Sequence, residues 1–499
     1  MVAFRWVPDA FVESMDMAKY VQDGGRGSLF VHGSLDSLLP QTSMARTLWG
    51  TVCGLDFSRF DIAYRNDTKG RAAIDPRRLA CLWMLALLRG VTSSVKLAAL
   101  CRTDIEMRWL SGDACVKKST LCAFRKNHLK SLADLSTQVL AALARCEMLP
   151  GKELAVDGSI IQAASSCHAN CKRKQLKKRR DKLNRTIEDA LAQPDADPNE
   201  IHELAKRKVP LERVLEEMGR LGLDQDHARI TVTEPQASLK KMKTGQFAPA
   251  HNVQATTDLE SGAVVVVDVV PQANDQGLLA GQLAKAQEEL KRVNHKLAAE
   301  DGETGPIATA SADGAYHDTK QLIVLDTQGI ETFVPAGQGA RKPPGVSDAF
   351  LAPQFEYDPQ SNTMVCPKAK RMTPIGFNEG HTAQKYRDQA SDCDACPFKS
   401  QCCPKTKQGR QVSRALYGSQ MKTVADRVAS ERGQCHKKAR SVVAEGAFGR
   451  MVELLHWRRC RTWGSDGARA EGLWRQITHN VMLLTAQWEP LVMPAFNLG

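Results

Sequence analysis

Three carboxylates in this chain stand where an acid needs a reason. Asp157 interrupts the apolar run Leu154-Ala155-Val156-Asp157-Gly158-Ser159-Ile160-Ile161, which reads as a buried strand carrying one charge. A lone Asp there is costly unless it binds a cation or accepts several hydrogen bonds. Asp313 closes a second short strand, Pro306 to Gly314, and Glu445 lies in a helical stretch, Arg440 to Arg450, with apolar neighbours on both sides. Carboxylates grouped in this way suit phosphodiester chemistry, in which two divalent ions roughly 3.5–4 Å apart activate the attacking oxygen and stabilise the leaving one. Two Mg²⁺ ions, with Mn²⁺ as a substitute, fit that role because Mg²⁺ takes few protein carboxylates and fills its other positions with water and phosphate oxygens. Any one of these acids read singly is a cap or a surface group; their matched places on strand, strand and helix favour a shared site.

A second set of chemistry-bearing residues is sulfur. Cys366-Pro367, then Cys393-Asp394-Ala395-Cys396, then Cys402 and Cys403 have ligand-like spacing, and Cys366, Cys393, Cys396 and Cys402 are candidates for a structural zinc site. The second half lacks a Cys-x-x-Cys knuckle, so buried free thiols are the alternative. Upstream, Gly337, Gly339, Pro343, Pro344 and Gly345 mark a loop that no Gly-Lys-Ser/Thr follows, which excludes a phosphate-binding P-loop.

Cations form a third set. Lys172, Arg173, Lys174, Lys177, Lys178, Arg179 and Arg180 make a dense basic run that suits nucleic-acid contact, although a charged helical face is usually only solvated. Arg125 and Lys126, near a helix end, and Arg450 are further candidates for contact with DNA. The segment His456-Trp457-Arg458-Arg459-Cys460-Arg461 mixes cations with an aromatic, a combination suited to phosphates and splayed bases.

The elements that must position these groups follow from periodicity and punctuation. Residues 1 to 150 read as helical: Asp75-Pro76 opens a helix through Leu88 that Gly90 closes, Ser93 and Asp104 begin two more, and Ser119-Thr120 can cap a fourth. Such a bundle suits DNA binding by helix insertion and equally suits a plain scaffold. After the Asp157 strand, Leu183, Ile187 and Leu191, a turn at Gln193 to Pro198, and then Ile201 to Met218 predict a helical hairpin inserted at about 165–225. Strands follow at 250–257 and 263–270, then a long helix from Asp275 to Ala299, the Asp313 strand, a helix at 319–327 and a strand at 330–334. This order predicts an α/β fold with a mixed sheet, its first part spanning 151–334. Residues 335–435 form a cysteine-containing insertion, and 436–499 supply C-terminal helices that complete the core.

Composition is consistent with this. The chain has 499 residues, 42% hydrophobic and 25% charged, long enough for several domains. Lys and Arg number 68 against 56 Asp and Glu, a net charge of +12, and the pI near 9.0 favours a polyanionic partner. No signal peptide is visible at the N-terminus, where Asp9, Glu13 and Asp16 arrive early, and the apolar run Leu79 to Leu88 is shorter than the about 20 residues a bilayer span needs. Fifteen cysteines without an export signal are expected to be mainly reduced thiols, which places the protein in the cytoplasm.

Several motifs in this order resemble the DDE transposases encoded by bacterial insertion sequences, whose catalytic core is ribonuclease-H-like. Asp75-Pro76-Arg77-Arg78-Leu79, Arg108-Trp109-Leu110-Ser111-Gly112 and Ser119 to Lys126 look like the family's N-terminal helical domain. Val156-Asp157-Gly158-Ser159 resembles its first acidic motif, and Pro249 to Ala255 with Asn274-Asp275 its second-strand and post-third-strand signatures. Ala312-Asp313-Gly314-Ala315-Tyr316 resembles the second acidic motif, and Val443 to Phe448 with His479-Asn480 the third. The resemblance covers nearly the whole chain and implies that Asp157, Asp313 and Glu445 are a metal-binding catalytic triad. It implies double-stranded DNA as partner (element ends and target), a homodimer on DNA, strand cleavage with 3′-OH strand transfer, no membrane, and a bacterial cytoplasm with nucleoid association when DNA-bound. A metal-dependent nuclease without strand transfer and a non-catalytic DNA-binding descendant are the alternatives. Departures from the family pattern are Val116-Lys117-Lys118 in place of Pro-Asp-His, Glu234-Pro235 in place of Asp-Pro, His251 in place of Tyr, and Val452 where some relatives carry Lys, with Arg450 and Arg458 the nearest cations.

Overall fold

The computed structural model describes residues 34–61, 73–193, 195–242, 245–272, 274–298, 303–336, 344–378 and 382–486. The loop residues Gly337, Gly339 and Pro343, the turn residue Pro194 and the early acids Asp9, Glu13 and Asp16 lie outside them.

Helices occupy the described part of residues 34–145. Asp75 accepts from the Arg77 N–H (2.8 Å) to cap the helix Pro76–Leu88, and Ser93 and Asp104 do the same for Ser94–Thr103 and Ile105–Ser111. The helix Lys118–Asn127 begins ahead of the expected Ser119-Thr120 cap, after Lys117, with no side-chain cap. Leu129–Arg145 follows with one face of Leu132, Leu135, Val139, Leu140 and Leu143 buried. The core of this bundle is completed from the other end of the chain: Leu455, Trp474, Ile477 and Val481 pack among Leu82, Trp83, Leu121 and Phe124.

The central sheet is built from β1 (Glu153–Gln162), β4 (Ser238–Lys241), β5 (Phe247–Asp258), β6 (Val264–Val270), β7 (Thr309–Ser311) and β8 (Glu331–Phe333), while β2 (Asn170–Lys172) pairs with β3 (Arg229–Thr231) beside it. The order is β6-β5-β1-β7-β8. β6, β5 and β1 form an antiparallel meander, and β7 and β8 run parallel to β1. The parallel strands need crossovers, supplied by the helices Leu279–Asn294 and Thr319–Thr327. β5 is long enough to serve two partners, β4 along 247–250 and β6 along 252–257.

Side-chain alternation gives the sheet two different faces. Leu154, Val156, Ala310 and Ala312 point to the helices Leu129–Arg145 and Leu279–Asn294, meeting Leu140, Leu143, Leu283 and Leu290. Ala155, Ile161, Val253 and Ala255 point the other way. The crossover helix starts at Leu279, later than the expected Asp275, because the Asp275 carboxylate turns to the sheet and accepts from Asn252 and Gln254 instead of capping the helix.

The insertion after β1 is a hairpin of Arg173–Leu191 and Pro198–Arg220, held by Leu176, Val214, Leu215 and Met218 against Ile230. Residues 356–415 hold a second sheet that composition alone did not announce: β9 (Glu356–Asp358), β10 (Thr363–Val365), β11 (Arg371–Asn378), β12 (Ala383–Arg387) and β13 (Gln411–Ala415), antiparallel in the order β13-β12-β11-β10-β9.

The helix expected from Lys437 onward is interrupted. Glu431–Ala439 passes through a π turn at Arg440–Ala444 into Glu445–Gly449, then through a second π turn at Arg450–Leu454. Residues 458–460 then extend β1: the Gln162 N–H donates to Arg458 O, and the Cys460 N–H donates to Gln162 O. The chain closes on Gly464–Leu484. Among the described residues no helix is long and apolar enough to cross a membrane.

Candidate active site

The acids are positioned by register. Ala155 in β1 lies opposite Ser311 in the parallel strand β7, the last pair of that ladder, so Asp157, still within β1, and Asp313, just past β7, are each two residues further on and level with one another. The broken helix crosses the face that Ala155 and Asp157 share. His436 stacks on Phe333 of β8 (3.8 Å between ring centroids) and faces the Ser311 hydroxyl of β7 (Nδ1 to Oγ 3.3 Å). Val443 and Ala444 then pack on Ala155 of β1, and Ala447 and Phe448 among Val253 and Ala255 of β5. Glu445 therefore comes within electrostatic reach of Asp157.

Electrostatics report the same proximity. Burial pushes the Asp157 carboxyl up to about 6; Glu445 and Asp313 push it the same way, against the Gly158 N–H and the Arg440 guanidinium. Asp313 caps the turn Gly314–Tyr316 by accepting from the Ala315 N–H (2.9 Å), which fixes its carboxylate. Glu445 is held by Arg440 (3.0 Å) and by the Ser441 hydroxyl (3.4 Å). Arg440 acts on both Asp157 and Glu445, a role that could have been read only from its place one π turn before the Glu.

Behind Asp157, on the opposite face, lies a polar node. Asp275 Oδ1 accepts from Asn252 Nδ2 (3.0 Å) and Gln254 Nε2 (2.8 Å), and the Tyr316 hydroxyl donates to Gln254 Oε1. Burial raises the Tyr316 phenol above its ordinary range, with Asp275, Asp157 and Asp313 adding to the shift. Gly158 makes room for this node: a Cβ there would stand 2.6 Å from Gln254 Nε2 and 3.0 Å from both Asp275 Oδ1 and Tyr316 Oη.

The three carboxylates offer hard oxygen donors alone, the set that Mg²⁺ takes. With the side chains as they stand, no group of three or more His, Cys, Asp or Glu among the described residues is close enough to hold a metal ion. Arg440 supplies the positive charge that Glu445 faces instead.

The candidate DNA-contacting cations divide. Arg125 is a correction: it is buried, donates to Thr92 O (2.7 Å) and lies over the Trp83 ring (4.6 Å), so it serves the core of the helical region. Trp457 is likewise buried, under Arg475, and the exposed aromatic nearby is Trp463. On the hairpin, Arg173 pairs with Asp224, Lys177 with Asp226 and Arg180 with Asp181, and Arg179 donates to the Cys171 sulfur. Lys126, Lys172, Lys174 and Lys178 are exposed. Arg450 is half-buried on the Glu445 helix; Arg458 pairs with Glu453, Arg459 donates to Ala163 O and Ala164 O, and Arg461 reaches the Thr92 hydroxyl.

Fold and site together define a mixed α/β protein with an acidic cluster where a parallel strand pair meets a crossing helix. Residues 365–485 match a family model described as a transposase DDE domain, and residues 34–127 match one described as a transposase domain (DUF772). Both matches are to transposase domains, and together they cover less than half of the chain. Glu445 and the cysteine group fall inside the first match, whereas Asp157 and Asp313 lie between the two. No curated protein and no solved structure matches the chain.

Proposed function

We propose that this protein is a transposase that binds the terminal inverted repeats of its own element, cleaves a strand at each end and joins the freed 3′-OH to target DNA. One observation carries this reading: strand register and the crossing helix bring Asp313 and Glu445 within electrostatic reach of Asp157. The order β6-β5-β1-β7-β8, with three antiparallel and two parallel strands, supports a ribonuclease-H-like core.

In this reading the three carboxylates hold two Mg²⁺ ions, which supply activation of the attacking oxygen and charge stabilisation at the phosphorus. The burial that raises Asp157 is an energetic reason to take a cation, since a positive charge at that place favours the ionised carboxylate. Asp313 is pre-aimed by its turn. Arg440, which pairs with Glu445, would have to release it for the carboxylate to take a cation. In the first step water attacks phosphorus and the bond to the 3′ oxygen breaks, leaving a 3′-OH and a 5′-phosphate. In the second, that 3′-OH attacks a target phosphodiester and displaces a target 3′ oxygen. Neither step needs a covalent enzyme intermediate. Lys126, Lys172, Lys174, Lys178, Arg458, Arg459 and Arg461 are the cations best exposed to contact the backbone. Paired ends call for two copies of the chain on DNA.

The test uses DNA ends carrying the inverted repeats that flank the gene. With Mg²⁺, the protein should nick these ends and join precleaved ends to a target plasmid. Nicking without joining on precleaved ends leaves a nuclease, and no nicking by a repeat-binding protein leaves a DNA-binding descendant.

A further inference from the structure

The cysteines of residues 366–403 have no part in that chemistry, yet they converge. Cys366, Cys393, Cys396, Cys402 and Cys403 line one cavity of about 320 Å³. They come from three segments: the turn after β10, the helix Ala390–Asp394 with the residues just after it, and the helix Lys399–Cys402 with its following residue. The Cys366 sulfur accepts backbone N–H bonds from Lys368 and Lys370 (3.4 Å each), in a turn where Ala369 takes φ +60°. The Cys393 sulfur accepts the Arg410 N–H (3.3 Å). A neutral thiol is a weak acceptor, and N–H donors aimed at sulfur favour the thiolate. Cys403 is within electrostatic reach of Cys393 and Cys402, and Cys402 in turn of Cys366.

We infer that Cys366, Cys393, Cys402 and Cys403 form a tetrathiolate site for zinc that clamps the β9–β13 sheet. The set departs from the sequence expectation in one member. Cys403, buried and within electrostatic reach of Cys393 and Cys402, replaces Cys396, which lines the cavity but is more exposed. Four thiolates around a divalent ion carry a net charge of minus two, and the lining holds four cations, Lys368, Lys370, Lys399 and Arg410, against the two acids Asp388 and Asp392. The sheet also needs a staple. Its fully buried core is Phe355, Met364, Met372, Tyr386 and Val412, too few apolar side chains to hold five short strands unaided. The sulfurs are not gathered to bonding distance as they stand. Closing the site requires side chains that line one cavity to move together, with the four thiol protons released to solvent.

The experiment measures metal in the full-length protein, purified without a polyhistidine tag and dialysed against a weak chelator. About one zinc per chain should remain, and a thiol-blocking mercurial should release it. Cys403→Ser and Cys366→Ser should each lower the content at least about twofold, while Cys396→Ser and the surface control Cys146→Ser should keep it. Cobalt supplied in place of zinc should give the absorption of a tetrahedral thiolate complex in the unsubstituted chain, a readout that stands even where a serine variant misfolds. A zinc-free protein without the cobalt spectrum overturns the inference, as does a disulfide among these cysteines on non-reducing peptide mapping. Zinc lost from Cys396→Ser but kept in Cys403→Ser overturns the ligand set. None of these readouts depends on DNA cleavage, so the outcome stands apart from the transposition chemistry.

Discussion

The acidic site and the cysteine cavity solve one problem in opposite ways. Both gather ligand-type side chains from separated segments, but the acids come from residues 157, 313 and 445 and the thiols from residues 366 to 403. The acids sit on elements packed by large apolar layers on both faces of a sheet, so the backbone that carries them does not depend on an ion. The thiols come from a turn and two short helices beside a five-residue core, and on the inference above their module depends on the ion they bind. A catalytic ion that must exchange belongs on the rigid frame, whereas a structural ion belongs where the frame is thin.

Substituting the acids gives the largest break in this comparison. Asp157→Asn or Glu445→Gln should reduce end cleavage by about 10³-fold or more while repeat binding and zinc content stay as they were; a variant that still cleaves at the parental rate rules out the triad. A strong zinc chelator tests the other half. Hydrogen exchange should rise across residues 356–415 and stay low in β1 and β5, and uniform loosening of both would mean the two regions are not independent.

Gly158→Ala probes how firmly the frame holds the first acid. Its methyl must displace Gln254 or Tyr316, so the melting temperature should fall by an amount worth roughly 1–3 kcal/mol, with cleavage falling as well. The pH response offers a sharper, smaller readout of the core. Burial holds His479 at about 4, against an ordinary value of 6.5. The unfolded chain takes up that proton first, so the stability His479 confers is complete above about pH 6.5 and drains away as the pH falls towards 4, up to about 3 kcal/mol. His479→Gln should flatten that limb of a denaturation series. The smallest effect is expected on the hairpin: Lys174→Gln with Lys178→Gln should lower the salt dependence of DNA binding by about two ion equivalents and leave cleavage chemistry unchanged.

Much of the frame could be read from residue patterns because each signal was local. The Asp75-Pro76 cap, the β-branched run of β6 and the apolar spacing of the hairpin state their conformations within about ten residues. What could not be read was decided at long range. The helix after β6 starts late because Asp275 is claimed by strand residues more than twenty positions away. Arg125 looked like a surface cation and is held in the core by Trp83 and Thr92. The sheet β9–β13 escaped notice because its strands are short and β11 carries Pro374 and Gly376 with a register shift between them. For the site, the strand positions of the two aspartates pointed to a shared edge, but the grip of Arg440 on Glu445 depends on a break in helical geometry that no periodicity announces.

That break makes the length of this segment matter as much as its composition. A π turn accommodates one residue more than an α turn, so the stretch Arg440–Ala444 carries a surplus residue between His436, anchored on β7 and β8, and Ala447, anchored on β5. Deleting one residue there would restore a regular helix while both anchors kept their phase. Adding one would rotate everything downstream by roughly 100° and swing Glu445 off the sheet face. Insertions and deletions, more than substitutions, are therefore the changes through which this segment can drift, and they are tolerated in one direction only.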